Sequence, residues 1–300
     1  MRELPFEVSS GEVRLVGTLC LPDDFPGSFA GALLLNGSGP LDRDSNMPEQ
    51  RLDVSNTLAH ALAALGVASL RYDKRGVGES TGSYLNAGLV EETEDARVAL
   101  AALRSDERCN GRVAVIGHSV GATIAIQLAR SSPPPDAYVL LAGAAMSGAE
   151  VMEWQSHRIA TTLPAPARWM ASRIERRQAR DRDQLLASTG DTMRLHREEM
   201  PARWFREYMA YDPASDLGAI AGPVLAITGS KDIQVDAGDV DRMRLLVTGP
   251  FVGETPDNLT HLLRSDEHRP GIRRYAAQLR RPVDPMLVER VATWTAATLR

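Results

Sequence analysis

VAVIGHSVGATIA, residues 113–125, is an apolar run, then a serine held between two glycines, then a second apolar run. The pattern reads as a buried strand, a tight turn and a helix, with Gly117-His118-Ser119-Val120-Gly121 fitting G-x-S-x-G at the junction. The glycines have a physical reason. A serine on such a turn sits in a strained conformation, and bulkier neighbours would collide with the strand and helix backbones. Its Oγ then stands clear at the C-terminal edge of a sheet, where open α/β sheets bind ligands. The start of the following helix favours negative charge developing there. The alternative is a plain strand–turn–helix junction whose serine merely begins a helix, so the rest of the chain must decide.

Outward from this stretch, short continuous apolar runs alternate with helical ones. GALLLNG (31–37), VASLRYD (67–73), RVAVIG (112–117), AYVLLAG (137–143) and PVLAITG (223–229) are the runs. The helical stretches between them include QRLDVSNTLAHALAALG and VEETEDARVALAALRS. Runs buried on both faces, separated by helices, predict a mostly parallel sheet in an α/β fold. Ahead of them, VRLVGTLCL (13–21) alternates as a strand and pairs as a hairpin with LPFEV across a Ser-Ser-Gly turn. The alternation stops between residues 147 and 213, which are Arg-rich and helical in composition with no strand-like run. The expected organisation is therefore a core of 1–146 and 214–300 with a helical cap, 147–213, inserted between two strands. Within the cap, Arg173, Arg176, Arg177 and Arg180 recur at helical spacing on one face, which reads first as a solvated face and otherwise as a stripe that draws in an anionic substrate such as an acyl-CoA or rests on an anionic membrane. Trp154, Trp169, Met170, Trp204 and Phe205 either line a pocket or pack the cap onto the core.

Composition narrows the function. With 300 residues, 43% hydrophobic and 24% charged, the chain is ordinary for a globular protein with a sizeable core. A formal net charge of −5 argues against a nucleic-acid partner. Lysine occurs only at Lys74 and Lys231, which reads as the bias of a high-GC bacterial genome. Cys20 and Cys109 match no metal or redox spacing and are expected as structural thiols. MRELPFEVSS has no apolar signal region and no run is long enough to span a membrane, so the expected location is the cytoplasm. DKRGVGESTGS lacks the phosphate-loop spacing and is expected to form a turn tied by Asp73 and Arg75. Asp42, Arg43 and Asp44 are expected in structural ion pairs.

A serine nucleophile needs a base, and the base an orienting carboxylate. Asp232 in LAITGSKDIQV falls just past a buried strand, whereas its rival Asp236 reads as a helix cap. Of six histidines, His60 lies in a helix, His118 beside the serine with its ring expected to turn away, and His157 and His196 in the cap. His261 in DNLTHLLR follows the last strand-like run, FVGETP, and is the better base; His268 sits in a charged, solvated stretch. An oxyanion hole needs two backbone N–H groups. Val120, after the nucleophile, supplies one; the loop Asn36-Gly37-Ser38-Gly39-Pro40 supplies the other, from Ser38 first and Gly37 second.

With NGSGPLDRD, RYDKRGVGES, GHSVG, GSKDIQV and LTHLLR in this order, the chain resembles the α/β-hydrolase superfamily, specifically small bacterial serine esterases. The likeness covers nearly the whole chain and is weakest in the cap. It implies a central eight-stranded sheet with an antiparallel second strand, a triad of Ser119, Asp232 and His261, and no cofactor or metal. The expected function is cleavage of a carboxylic ester of a small-molecule acyl substrate through an acyl-enzyme on Ser119; the same triad also suits a thioesterase, acyltransferase, perhydrolase or peptidase, and a non-catalytic ligand-binding protein on this fold is the remaining alternative. One departure is Asn36, where many relatives carry His before the glycine. Since the base must be neutral, activity is expected to rise through a limb near pH 6–7.

Overall fold

The computed structural model describes residues 1–23, 27–163 and 169–300. Residues 164–168 of the predicted cap lie outside the described residues.

Eight strands form one sheet: β1 Arg2–Ser10, β2 Val13–Leu21, β3 Phe29–Leu35, β4 Val67–Tyr72, β5 Cys109–His118, β6 Ala137–Leu141, β7 Val224–Ile227 and β8 Phe251–Glu254. Their order is β1-β2-β4-β3-β5-β6-β7-β8. All neighbours from β4 through β3 to β8 pair in parallel, while β2 runs antiparallel to both β1 and β4. The α/β architecture and its antiparallel second strand thus follow the expectation. The hairpin closes with Ser10 opposite Val13, leaving Gly11-Glu12 as a two-residue turn.

Period-two alternation explains why the apolar runs are continuous. Leu33, Leu35, Val113, Val115, Tyr138, Leu140, Val224 and Ala226 join one buried cluster. Their sequence neighbours Leu34, Ala114, Ile116, Val139, Leu141, Leu225 and Ile227 join a second, on the other face. Both faces are dry, so both sets must be apolar. Helices α1 (Val54–Ala64) and α8 (Pro285–Thr298) cover the second cluster. Helices α2 (Leu89–Ser105), α3 (Val120–Gln127) and α7 (Asp239–Leu246) cover the first.

Between β6 and β7 run α4 (Gly148–Thr161), α5 (Ala171–Ala187) and α6 (Ala202–Ala210). Ser147 and Glu150 start α4 with a reciprocal capping box. Alongside these helices the stretch holds a short hairpin, Met193–Leu195 with Glu198–Met200, contrary to the expectation of no strand. Its turn residues, His196 and Arg197, both have positive φ (50° and 76°) without the Asn-Gly signature such turns favour, so composition hid it.

Helix α6 is bound to the core at the start of α2. Glu207 accepts a hydrogen bond from the Val90 amide at 2.9 Å, and Arg203 donates to the Asn86 carbonyl at 2.8 Å and pairs with Glu91. A carboxylate at a helix N-terminus satisfies an orphan amide and suits the dipole. Trp204 donates from its indole to Glu92, 3.2 Å away, and Glu92 is in turn paired with Lys74 at 3.1 Å. Lys74, Glu92 and Trp204 are all buried. Helix α5, by contrast, buries only Leu185, and Arg173, Arg176, Arg177 and Arg180 are exposed on it.

Candidate active site

Ser119 has φ 55° and ψ −120°, a conformation L-residues rarely adopt, and it is the one residue of 113–126 that is not buried. Its own amide donates to the Leu141 carbonyl at 2.8 Å, and its carbonyl accepts from the Ala122 amide at 2.9 Å. The two flanking glycines permit this fold of the chain. A Cβ on Gly117 would lie 2.2 Å from the Gly121 carbonyl oxygen, and one on Gly121 would lie 2.1 Å from the Leu35 carbonyl oxygen. The turn therefore interlocks with itself and with the end of β3. Val120 opens α3, and the first amides of a helix have no carbonyl within it to donate to.

The loop after β3 is held by Asn36. Its Nδ2 donates to the Asp42 carbonyl at 2.6 Å, and its Oδ1 accepts from the Ser45 and Ser55 hydroxyls at 2.6 and 2.7 Å. A buried amide with donor and acceptor both engaged is a rigid staple. Gly37 follows it so closely against the elbow that a Cβ there would touch the Ser119 Cβ at 3.4 Å. Ser38, next in line, is exposed to the cavity described below.

Asp232 and His261 are both buried and face each other, His261 Nδ1 lying 2.9 and 3.1 Å from the two carboxylate oxygens. Asp232 Oδ1 also accepts from the Gln234 and Val235 amides at 2.7 and 2.9 Å, which fixes the carboxylate in its loop. The rivals are elsewhere: Asp236 accepts from the Gly238 amide and Arg242 beside α7, and His268, largely exposed, pairs with Asp266. His118 follows the expectation. Its ring turns from the cavity but packs onto His261, ring centroids 5.2 Å apart, with Nε2 2.9 Å from the His261 carbonyl oxygen. Burial, then the proximity of the His261 ring, lowers its pKa to about 3.

A cavity of about 500 Å³ opens over Ser119 and Val120, with Ser38, Gly39 and Pro40 on its rim. Val151, Met152, Met200, Trp204, Phe205 and Tyr208, all from the stretch between β6 and β7, form much of its wall. Trp204 stacks on Tyr208 with centroids 5.1 Å apart and meets Phe205 edge-on at 5.2 Å. Among the described lining residues Glu199 alone carries a charge. Of the other cap aromatics, Trp169 is 71% exposed, so only part of the predicted set reaches the cavity. Gln234, beside Asp232, lines the cavity too; it accepts from Gln155 of α4 at 3.2 Å and donates to the Tyr275 hydroxyl at 2.9 Å. No sequence motif signals that bridge.

One sequence expectation is corrected. Asp73 pairs with Arg43, at 2.5 Å, and not with Arg75, whose partner is Asp95 on α2 at 2.5 Å. Arg75 lies two residues on from Asp73, and the turn carries its guanidinium to the α2 side of the sheet. Burial alone would raise the Asp73 pKa, but Arg43 and the Glu79 amide outweigh it and hold the carboxyl below its ordinary range. Arg43 thereby joins the loop after β3 to the end of β4, as the ion-pair reading anticipated for it, whereas Asp42 instead accepts from the Asp44 and Asn46 amides at 2.9 and 2.8 Å. Asp44 adds a bond to Arg71 at 2.7 Å. Cys20 is buried and Cys109 partly so, and burial pushes both thiols up. Among the described residues, no helix is long and apolar enough to cross a membrane.

Residues 51–246 match the Hydrolase_4 family, described as serine aminopeptidase, S33. A curated relative, Esterase EstD of Thermotoga maritima, is 27% identical over 299 residues, covering 93% of this chain. The chain spans 65% of that relative's length. Among solved structures, Est1E from Butyrivibrio proteoclasticus with ferulic acid bound superposes with a TM-score of 0.67 at 16% identity, covering 98% of both chains. Pyrococcus furiosus esterase Pf2001 gives a TM-score of 0.61 at 16% identity, covering 99% of this chain and 89% of the other. At such identities these likenesses establish the fold.

Proposed function

Because the chain belongs to the Hydrolase_4 family of α/β hydrolases, we propose that it is a serine hydrolase cleaving carboxylic esters of neutral, apolar acyl groups. Ser119 is the nucleophile, His261 the base and Asp232 its orienting carboxylate. The observation that carries this reading is the buried Asp232–His261 pair, joined through His118 to the turn of a strained, accessible serine that opens into an apolar cavity. His261 takes the Ser119 proton as Oγ attacks the acyl carbonyl; the Val120 and Ser38 amides hold the resulting alkoxide. Asp232 binds Nδ1, so Nε2 is the nitrogen free to exchange the proton. The alcohol leaves protonated by His261, and water then releases the acid by the same steps in reverse.

The helices and hairpin of residues 147–213 act as a cap that sizes the acyl site. With Glu199 as the one charged residue among the described lining residues, these offer no cation to an anionic acyl carrier. The esterase names of the relatives agree with this choice of substrate.

The test is intact-mass labelling by a fluorophosphonate, for the wild type and Ser119→Ala. Turnover is measured in parallel on p-nitrophenyl esters from acetate to decanoate and on aminoacyl p-nitroanilides. The expected result is one adduct, lost in the variant, with ester turnover and little anilide turnover. A folded wild type that neither labels nor turns over esters would refute the assignment.

A further inference from the structure

We infer that His118 is a positioning residue for the reaction: its Nε2–H, donated to the His261 carbonyl, locks the loop of the base to the elbow of the nucleophile. The inference rests on the triad reading above and deepens it.

Ser119 and His261 are 142 residues apart and sit on separate loops, after β5 and β8. Proton transfer between them requires their relative placement to be held to a fraction of an ångström, since about 1 Å of misplacement lowers rates roughly 10²-fold. The known restraint on His261 acts on its ring: Asp232 grips Nδ1 but leaves the main chain of the loop to its own contacts. That loop closes locally, with the Thr260 amide and hydroxyl both donating to the Arg264 carbonyl and the Leu263 amide to the Thr260 carbonyl. Arg264 donates onward to the Leu262 and Leu52 carbonyls. These bonds run within the loop and toward α1, away from the elbow.

The bond from His118 supplies the missing direction. It reaches the carbonyl of His261 itself, 2.9 Å away, from the residue immediately before Ser119. A carbonyl only accepts, so Nε2 carries the proton. On the opposite edge of the ring the loop after β3 lies near: a Cβ added to Gly37 would come 3.8 Å from His118 Nδ1. One side chain of the elbow thus reaches the base loop, with the loop after β3 close by its other edge. Imidazole suits this post because it is rigid, fills the space in van der Waals contact and offers a single N–H at its far tip. Its burial also keeps it uncharged next to a histidine that becomes an imidazolium during turnover. A lysine or arginine there would oppose that cation.

The experiment compares the wild type with His118→Phe, His118→Met and His118→Gln, each first shown to be folded by near-ultraviolet circular dichroism. Phe and Met fill the space without a donor; Gln places an N–H near the position of Nε2. Kinetics are read on p-nitrophenyl butyrate, with fluorophosphonate labelling rates as a second measure. The expected result is a fall in kcat of about 30-fold or more for Phe and Met with KM within about threefold, labelling slowed in parallel, and recovery of about tenfold in Gln. Phe or Met keeping kcat within threefold of wild type would overturn the inference, as would Gln being as slow as both. A wild type that neither labels nor turns over would instead overturn the triad reading on which it rests.

Discussion

Gly121→Ala sets two rules against each other and lets the structure choose. Gly121 is the second residue of α3, where alanine is the better helix former by about 1 kcal/mol. Propensity alone therefore makes the variant more stable. The added Cβ, however, lies 2.1 Å from the Leu35 carbonyl oxygen, 2.6 Å from its carbon and 2.8 Å from the Asn36 oxygen, all of them backbone. Reaching an ordinary contact of 3.4 Å requires the end of β3 to retreat by about 1.3 Å. Asn36 resists, because its side chain is bonded to Asp42, Ser45 and Ser55. Overpacking of this kind costs about 1–3 kcal/mol or more, so the net effect is destabilising. The displaced residues lead directly into Gly37 and Ser38, so the proposed oxyanion loop moves with them and kcat is expected to fall about 100-fold. Urea unfolding and ester kinetics measure both effects. Gly11→Ala is the control: nothing lies within 4 Å of its Cβ position, but φ is +60°, so it loses about 1 kcal/mol of stability and no activity. A Gly121→Ala protein as stable as the wild type, with kcat within threefold, would refute the steric reasoning.

Asp232→Asn keeps the shape of the pair but removes the charge that fixes the His261 tautomer, and kcat on esters is expected to fall by about 10³–10⁴. His118 makes stability depend on pH. Its folded pKa of about 3 lies below the ordinary 6.5, so only the unfolded chain takes up that proton as pH falls. Stability is fully present above pH 6.5 and is lost toward pH 3, at up to about 1.4 kcal/mol per pH unit. Asp73, held below its ordinary range, adds a loss of the same sign at lower pH; urea unfolding of His118→Gln between pH 7 and 4 should show a shallower slope, and an unchanged slope would contradict the burial argument. Trp204→Ala opens the cavity wall and strips Glu92 of the indole bond. It should lose about 3–5 kcal/mol of stability while shifting preference toward decanoate over butyrate by about tenfold; an unshifted chain-length profile would remove Trp204 as a determinant. Replacing Arg173, Arg176, Arg177 and Arg180 together by Gln should leave kinetics on neutral esters and CoA thioesters within twofold, because all four are exposed on α5.

What could be read from the sequence follows from how local each signal is. The strands of the parallel block declare themselves because both faces are dry, so Leu33 and Leu34 are apolar for different clusters but for the same reason. Ser119 is legible because the close approach of Gly117 and Gly121 leaves no alternative residue at either position. Asp232 and His261 could be placed at the sheet edge by counting strands. The partner choices of long side chains were not legible: Asp73 takes Arg43 from 30 residues upstream over Arg75 nearby, since the sheet order sets β3 beside β4. The partner of the His118 ring was hidden for a related reason. Its place beside the serine says that its ring turns away, but what awaits on the other side is the carbonyl of a loop 143 residues away. The cap hairpin and the Gln155–Gln234–Tyr275 bridge depend on such distant meetings as well.

The attachment of α6 to the start of α2 bears on how this protein can be re-engineered. Grafting a foreign 147–213 segment onto the scaffold would strand Glu92 and Lys74 as a buried ion pair without its indole, and leave the Val90 amide uncapped. The transplantable unit is therefore the segment together with residues 86–92, whose carboxylates and amides are cut to fit it. Chimeras that exchange both pieces should fold where those exchanging the insertion alone do not.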